Sequence, residues 1–407
     1  MEIRDLLKGM VDREGSDMYL TVEAPPIYRV HGVTQPTNDP PFNNDQLEAL
    51  ALALMRGPQR SEFEEKMEMN LALYYKDLGR FRVNIFRQRG NVGLVFRHIK
   101  AEIQDINTLG LPPIMKDLAL TKRGLILVVG STGSGKSTTL AAMVDHRNSV
   151  SHGHIISVED PIEFVHQHKK CLITQREVGF DTHSFQSALK NTLRQAPDVI
   201  LIGEIRDTDT MEAAITFAET GHLCLGTLHS NNANQAIERI MNFFPVERHQ
   251  QIYLQLSLNL RAIVSQRLVP SLDGRRAPAL EIMLDTPRIK DLVKKAEIDQ
   301  LKEAMEQGVE EGCQTFDYVL FKLYKEGRIS LEQALINSDS ANNLRLRIKL
   351  EGVRSGDEQL AKLLEGDGTG SAAAPTHGAP SAAAGAAAAP KKPAFSIVGQ
   401  DPMRRKL

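Results

Sequence analysis

Little in this 407-residue sequence would brace or anchor the chain from outside its own core. Its three cysteines, Cys171, Cys224 and Cys313, stand far apart and form no C-x-x-C pair. A disulfide framework and a structural zinc site are therefore not indicated, and the three read as small buried hydrophobes. No apolar run approaches the ~18–20 residues that a transmembrane helix needs. The N-terminus mixes both signs of charge from Glu2 to Asp5 and lacks the apolar core and small-residue cleavage site of a secretory signal, so a cytoplasmic protein is expected. An excess of positive charge is also missing: 49 Lys and Arg against 51 Asp and Glu give a net charge of −2, which argues against a general nucleic-acid binder. What is present, 42% hydrophobic and 25% charged residues, is the balance of a soluble globular chain and excludes a mostly disordered one. At ~150 residues per domain the length suggests two or three domains.

The first hundred residues mix two periodicities. Leu47 to Met55 is rich in helix formers, whereas residues 79–86 alternate apolar Phe81, Val83 and Ile85 with polar Arg80, Arg82 and Asn84, the pattern of a half-buried strand. Residues 92–99 give a second such strand, and the pairs Pro25-Pro26 and Pro40-Pro41 mark turns. Residues 1–100 read as a small α+β domain, followed by a linker over 101–120 in which Gly110, Pro112 and Pro113 discourage regular structure.

From Gly124 the texture changes to short continuous apolar runs, at residues 125–129, 154–158, 199–202 and 223–226, separated by helix-like segments. That is the mark of buried parallel strands, and it predicts an α/β domain over 121–355 with ligands along the carboxyl edge of its sheet. Residues 250–268 repeat Ile252, Leu256, Leu260, Val264 and Leu268 four apart; strand alternation also fits the first part, but the length favours a helix. Helical patterns continue to about Leu350. Beyond 355 the composition collapses: eleven of the twenty residues 371–390 are alanine, broken by Pro, Gly and Ser, which predicts a disordered tail over 356–407.

Chemistry concentrates at the predicted sheet edge. Residues 130–137 (GSTGSGKS) fit G-x-x-x-x-G-K-[ST] between an apolar strand and a helix-forming run. In such a loop Gly130, Gly133 and Gly135 let the backbone N–H groups of Ser131, Thr132 and Ser134 wrap phosphates. Lys136 supplies charge to the β- and γ-phosphates, the Ser137 hydroxyl binds Mg²⁺, and Thr138 continues the cradle into the helix. Chance alone gives such a match roughly once in a hundred chains of this length. A second strand, 198–202, delivers Glu204, a carboxylate able to orient Mg²⁺ or its waters, and a third delivers Glu159, Asp160 and Glu163, one of which can align an attacking water. His222 and His229 bracket six residues taken to turn at the same edge; each reads either as a structural histidine or as a reporter of the γ-phosphate. Arg82 and Arg97 are either solvated strand residues or arginine fingers. His166 and His168, beside Lys169 and Lys170, read as a solvated segment rather than a metal site.

Together these segments resemble the secretion and type IV pilus ATPases of the hexameric RecA-like P-loop superfamily. Residues 193–207 (LRQAPDVILIGEIRD) look like that family's Walker B signature, 158–163 (VEDPIE) like its Asp box, and 220–229 like its His box, and the similarity runs from Met1 to Ile336. Within the family the chain is most similar to the PilT and PilU types of retraction ATPase, having a single short N-terminal domain and no tetracysteine motif. Residues 281–292 depart from the PilT-type Ala-Ile-Arg-Asn-Leu-Ile ending and incline toward the PilU type. The resemblance implies a PAS-like N-terminal domain, a RecA-like motor domain and a ring of six chains using ATP and Mg²⁺. It further implies that Lys136 and Ser137 bind the triphosphate and Mg²⁺, Glu163 polarises the lytic water, Glu204 supports the metal, and Arg82 and Arg97 approach the nucleotide of a neighbouring subunit. The expected partners are a sister PilT-type motor and the cytoplasmic face of an inner-membrane pilus platform protein, with no specific nucleic acid. Two rival readings are an accessory subunit whose ATP turnover is dispensable and a nucleic-acid translocase.

Overall fold

The computed structural model describes residues 2–99 and 102–355, so the tail expected over 356–407 lies outside the described residues. Two sheets carry the fold. The first is antiparallel and comprises β1 (Gly15–Leu20), β2 (Ile27–Val30), β3 (Val33–Pro36), β4 (Glu68–Tyr75), β5 (Gly79–Gln88) and β6 (Asn91–Ile99), in the order β3-β2-β1-β6-β5-β4. The alternation in β5 does what its period dictates: Phe81, Val83 and Ile85 are buried against Leu7, Leu47 and Phe63 of helices α1 (Ile3–Asp12), α2 (Asn44–Leu54) and α3 (Gly57–Lys66). Helix α2 begins where it does because the Asn43 side chain accepts from Gln46 N while the Gln46 side chain accepts from Asn43 N, a reciprocal capping box. The other face carries charge. Register places Asp17 opposite Arg97 and Arg97 opposite Arg82, so these three form one row across β1, β6 and β5.

After helix α4 (Ile114–Leu120), which occupies the end of the expected linker, the second sheet comprises β7 (Gly124–Val129), β8 (Gly153–Glu159), β9 (Cys171–Glu177), β10 (Val199–Ile202), β11 (Leu223–Leu228), β12 (Leu260–Pro270) and β13 (Arg276–Leu284), ordered β13-β12-β7-β11-β10-β8-β9. Six of these strands are parallel, and β13 pairs antiparallel to β12. The α/β class expected from the apolar runs holds. Successive residues serve two cores: Leu125, Leu127 and Val129 join Ile200, Ile202 and the helix α7 (Thr208–Glu219) on one side, while Ile126 and Val128 join Leu201, Leu225 and α5 (Lys136–Val150) on the other. Burial on both faces is why these strands read as unbroken apolar runs. The remaining helices are α6 (Phe185–Thr192), α8 (Ala233–Met241), α9 (His249–Asn259), α10 (Pro287–Lys294), α11 (Leu301–Gln307), α12 (Phe316–Lys325), α13 (Leu331–Ile336) and α14 (Ala341–Ser355).

Three expectations are corrected. Residues 250–268 are not one helix: α9 ends at Asn259 and β12 follows at once, because Ile263 and Val264 insert beside β7 in the sheet centre, where a β-branched pair packs on both faces. The helical stretch toward Leu350 is likewise interrupted by β13. Finally, residues 223–228 do not turn but run straight as β11, which puts His222 at the amino end of the strand and His229 just past its carboxyl end. At ~3.3 Å per residue the two histidines lie on opposite edges, about 20 Å apart along the strand.

Candidate active site

The loop between β7 and α5 is shaped by its glycines. Gly133 and Gly135 have φ of 78° and 91°, in the left-handed region that costs glycine least. The loop also leans on β12: a Cβ on Gly135 would sit 2.8 Å from Gln266 Nε2, and the Thr139 hydroxyl of α5 donates to Gln266 Oε1 at 2.7 Å. Lys136 Nζ is folded back, donating to the Gly130 and Ser131 carbonyls at 2.9 Å each. Burial lowers the pKa of this amine, and the charge of Glu204 opposes that shift. Ser134 Oγ is buried without a hydrogen-bond partner, an orphan polar atom within the cradle that an anion or its water would satisfy.

This loop forms one wall of a cleft of about 500 Å³, in the range of small-molecule sites. Thr132, Gly133, Gly135, Lys136, Ser137 and Thr138 line it, and Glu159, Asp160, Glu163, Glu204 and His229 face them. Gly130, Ser131 and Ser134 line an adjoining hollow of about 330 Å³. The convergence follows from topology, because β7, β8, β10 and β11 are parallel and all end at this edge. Glu204 is held on both oxygens, by Arg206 Nη2 at 2.6 Å and by His229 Nε2 at 3.1 Å. Burial, reinforced by the Lys136 charge, lowers His229 below the ordinary 6.5, so its imidazole is neutral near pH 7. Glu159 is the deep carboxylate: burial raises its pKa, while Ser157 Oγ at 2.5 Å and Gln175 Nε2 at 3.2 Å donate to it.

Glu163, by contrast, is exposed on the segment 160–166 that leaves β8, and β9 holds that segment. Gln175 Nε2 donates to Phe164 O at 2.9 Å and Gln175 Oε1 accepts from His166 N at 2.8 Å, while Glu177 Oε2 accepts from Ile162 N at 3.3 Å. His166 is half-buried and lines the cleft, contrary to the solvated reading; burial lowers its imidazole to about 4, so it stays neutral. His168 Nδ1 accepts from Ile173 N at 3.1 Å. Among the described residues no cluster of three or more His, Cys, Asp and Glu is arranged to hold a metal by itself. Ser137 and Glu204 supply oxygen donors at the cleft, a set that suits a hard cation sharing its shell with phosphate and water.

The described lining of the cleft does not include Arg82, Arg97 or His222. His222 Nδ1 lies 3.1 Å from Thr220 Oγ1 at the far edge of the sheet, where strand direction alone keeps it from a phosphate bound at Lys136. Arg97 Nε donates to the buried Asp17 at 2.8 Å, and the Glu163 charge helps to raise its pKa. Arg82 acts electrostatically on Glu177. Sequence reasoning overlooked Arg80, which ion-pairs with Glu177 at 2.9 Å, together with Gln175, Glu177 and Gln266. The alternation of β5 held the signal for Arg80, since it shares a face with Arg82; β9 and β12 gave none as strands.

Residues 17–352 match the family of type II/IV secretion system proteins. The type IV pilus ATPase PilU of Pseudomonas aeruginosa is 53% identical over 367 residues, spanning 90% of this chain and 96% of that protein. The type IV pilus retraction ATPase PilT of the same organism is 42% identical over 334 residues, spanning 82% and 97%. Among solved structures, the pilus retraction motor PilT with bound ADP superposes with a TM-score of 0.80 at 41% identity, covering 84% of this chain and 98% of that one.

Proposed function

We propose, from the premise that this chain belongs to the type II/IV secretion system protein family and is a type IV pilus retraction ATPase, that it is an ATP-hydrolysing, Mg²⁺-dependent hexameric motor powering pilus retraction. The observation that carries this reading is the single cleft in which a glycine loop with Lys136 and Ser137 faces Glu163 and Glu204. The backbone N–H groups of residues 131–136 bind the phosphates, and Lys136 exchanges its two carbonyl partners for phosphate oxygens. When bound, Mg²⁺, held by Ser137 and Glu204, neutralises charge on the phosphates. Arg206 and His229 keep the Glu204 carboxylate aimed, and Glu163 accepts a hydrogen bond from the lytic water and turns its lone pair toward the γ-phosphate. Catalysis is positioning and charge stabilisation, with no covalent intermediate.

Arg82 and Arg97 have a two-stage role in this reading. They are ranked on one sheet face by β-register, and they complete the site of a neighbouring subunit when domains close, so that nucleotide turnover becomes rotation. The motor works at the cytoplasmic face of an inner-membrane platform protein beside a sister PilT-type motor. The test is turnover: Lys136→Ala is expected to lose nucleotide affinity, and Glu163→Gln to keep it while losing hydrolysis. A wild-type rate from Glu163→Gln would remove the water-polarising role.

The departure from the PilT type at residues 281–292 supports a second reading, in which the chain assists a sister motor and its own ATP turnover is dispensable. Complementation by Lys136→Ala in cells that contain the sister motor separates the two: loss of retraction supports the first, and retained retraction supports the second.

A further inference from the structure

Arg80 lies two residues before Arg82 on β5 and projects from the same face, away from Phe81 and Val83. Its Nη2 donates at 2.9 Å to Glu177 Oε2, a contact that joins the first sheet to β9, the edge strand of the second. The Glu177 side chain is 1% exposed. The same Oε2 accepts from Ile162 N at 3.3 Å, immediately before Glu163, and Gln175, two positions earlier on β9, fixes Phe164 O immediately after it. Glu163 is thus exposed on a segment pinned on both sides by one strand, and one of those pins is an oxygen shared with the other sheet. The second oxygen, Oε1, is buried with no hydrogen-bond partner, so little besides Arg80 and the Ile162 N–H fixes the carboxylate.

We infer that the Arg80–Glu177 ion pair is a positioning clasp, which holds the Glu163 segment in its working geometry only while the first sheet is seated against the edge of the second. The inference rests on the reading that Glu163 polarises the lytic water. Removing Arg80 leaves a buried carboxylate without its hydrogen-bonded cation, with only the more distant charge of Arg82 acting on it, so it must draw in water, take up a proton or turn away. Each response alters the oxygen that Ile162 N donates to. Displacement of a reacting group by about 1 Å costs on the order of 100-fold in rate, so the clasp ties turnover to the seating of the N-terminal sheet.

The experiment uses the full chain and four variants: Arg80→Ala, Arg80→Lys, Glu177→Gln and the Arg80→Ala/Glu177→Gln double. Steady-state kcat and KM for ATP with Mg²⁺ are read beside amide hydrogen exchange at residues 162–164. Arg80→Ala is expected to lower kcat by about 10- to 100-fold with KM within about 3-fold, and Arg80→Lys to restore part of the rate. Adding Glu177→Gln to Arg80→Ala is expected to change little further, because both break one contact. Exchange at Ile162 is expected to quicken in Arg80→Ala. Unchanged exchange at Ile162, or effects of the two substitutions that multiply, overturns the clasp. The exchange arm needs no turnover: if the wild-type chain hydrolyses no ATP, the ATPase reading falls, and exchange at Ile162 still decides the clasp. Arg80 lies outside the apolar cores, so its variants test the contact without a cavity.

Discussion

Glu281 offers a sharp test of how this fold treats a buried charge. It sits on β13 at 2% exposure, where Oε1 accepts from Ala233 N at 2.8 Å and from Ser265 Oγ at 3.1 Å. Burial is the main cause that pushes its carboxyl from an ordinary 4.5 up to about 7, and Asp339 adds to the rise, while the Ala233 N–H, Ser265 and Arg267 oppose it. The unfolded chain ionises Glu281 first. Between 4.5 and about 7 the folded protein therefore binds more protons than the unfolded one, so the group's contribution to stability falls as pH rises, being intact below that window and fully lost above it. At ~1.4 kcal/mol per pH unit the loss is about 3 kcal/mol. Glu281→Gln keeps an acceptor for Ala233 N and does not titrate. Denaturant unfolding at about pH 5 and about pH 8 should show the variant gaining about 2 to 3 kcal/mol on wild type between the two. A stability difference that stays constant across that range would refute the reasoning.

Two further substitutions probe how the site is supported. Gly135→Ala puts a side chain at φ 91° and a Cβ 2.8 Å from Gln266 Nε2, so a loss of about 1–3 kcal/mol and weaker ATP binding are expected by unfolding and titration calorimetry. Unaltered affinity would mean that the loop does not need this conformation. Phe81→Ala, at a fully buried site of the first sheet, is expected to cost about 3–5 kcal/mol in thermal or denaturant unfolding, and a cost below about 1 kcal/mol would show that this core is not closely packed.

Much of the architecture follows from local pattern. The buried parallel strands β7, β8, β10 and β11 announce themselves because a strand covered on both faces has no polar alternation to disguise it. The glycine loop is legible because its φ values and its phosphate chemistry both require particular residue types at fixed spacing. Strand β9, with Thr174, Gln175 and Arg176 in its middle, carries too little apolar signal to be read, and β12 was hidden because α9 runs into it without a break.

By itself the sequence determined the phosphate loop, the alternation that lines arginines along one face of β5, and the α/β class, since each depends on residues within one or two turns or strands. Only the tertiary structure decided that His222 and His229 lie at opposite edges, that Gln266 holds Thr139 of α5 from 127 positions away in sequence, and that Arg80 reaches Glu177. Strand direction, cross-strand register and the seating of one sheet on another bring together residues that no local pattern relates, because hydrogen-bond pairing in a sheet is set by topology rather than by proximity along the chain.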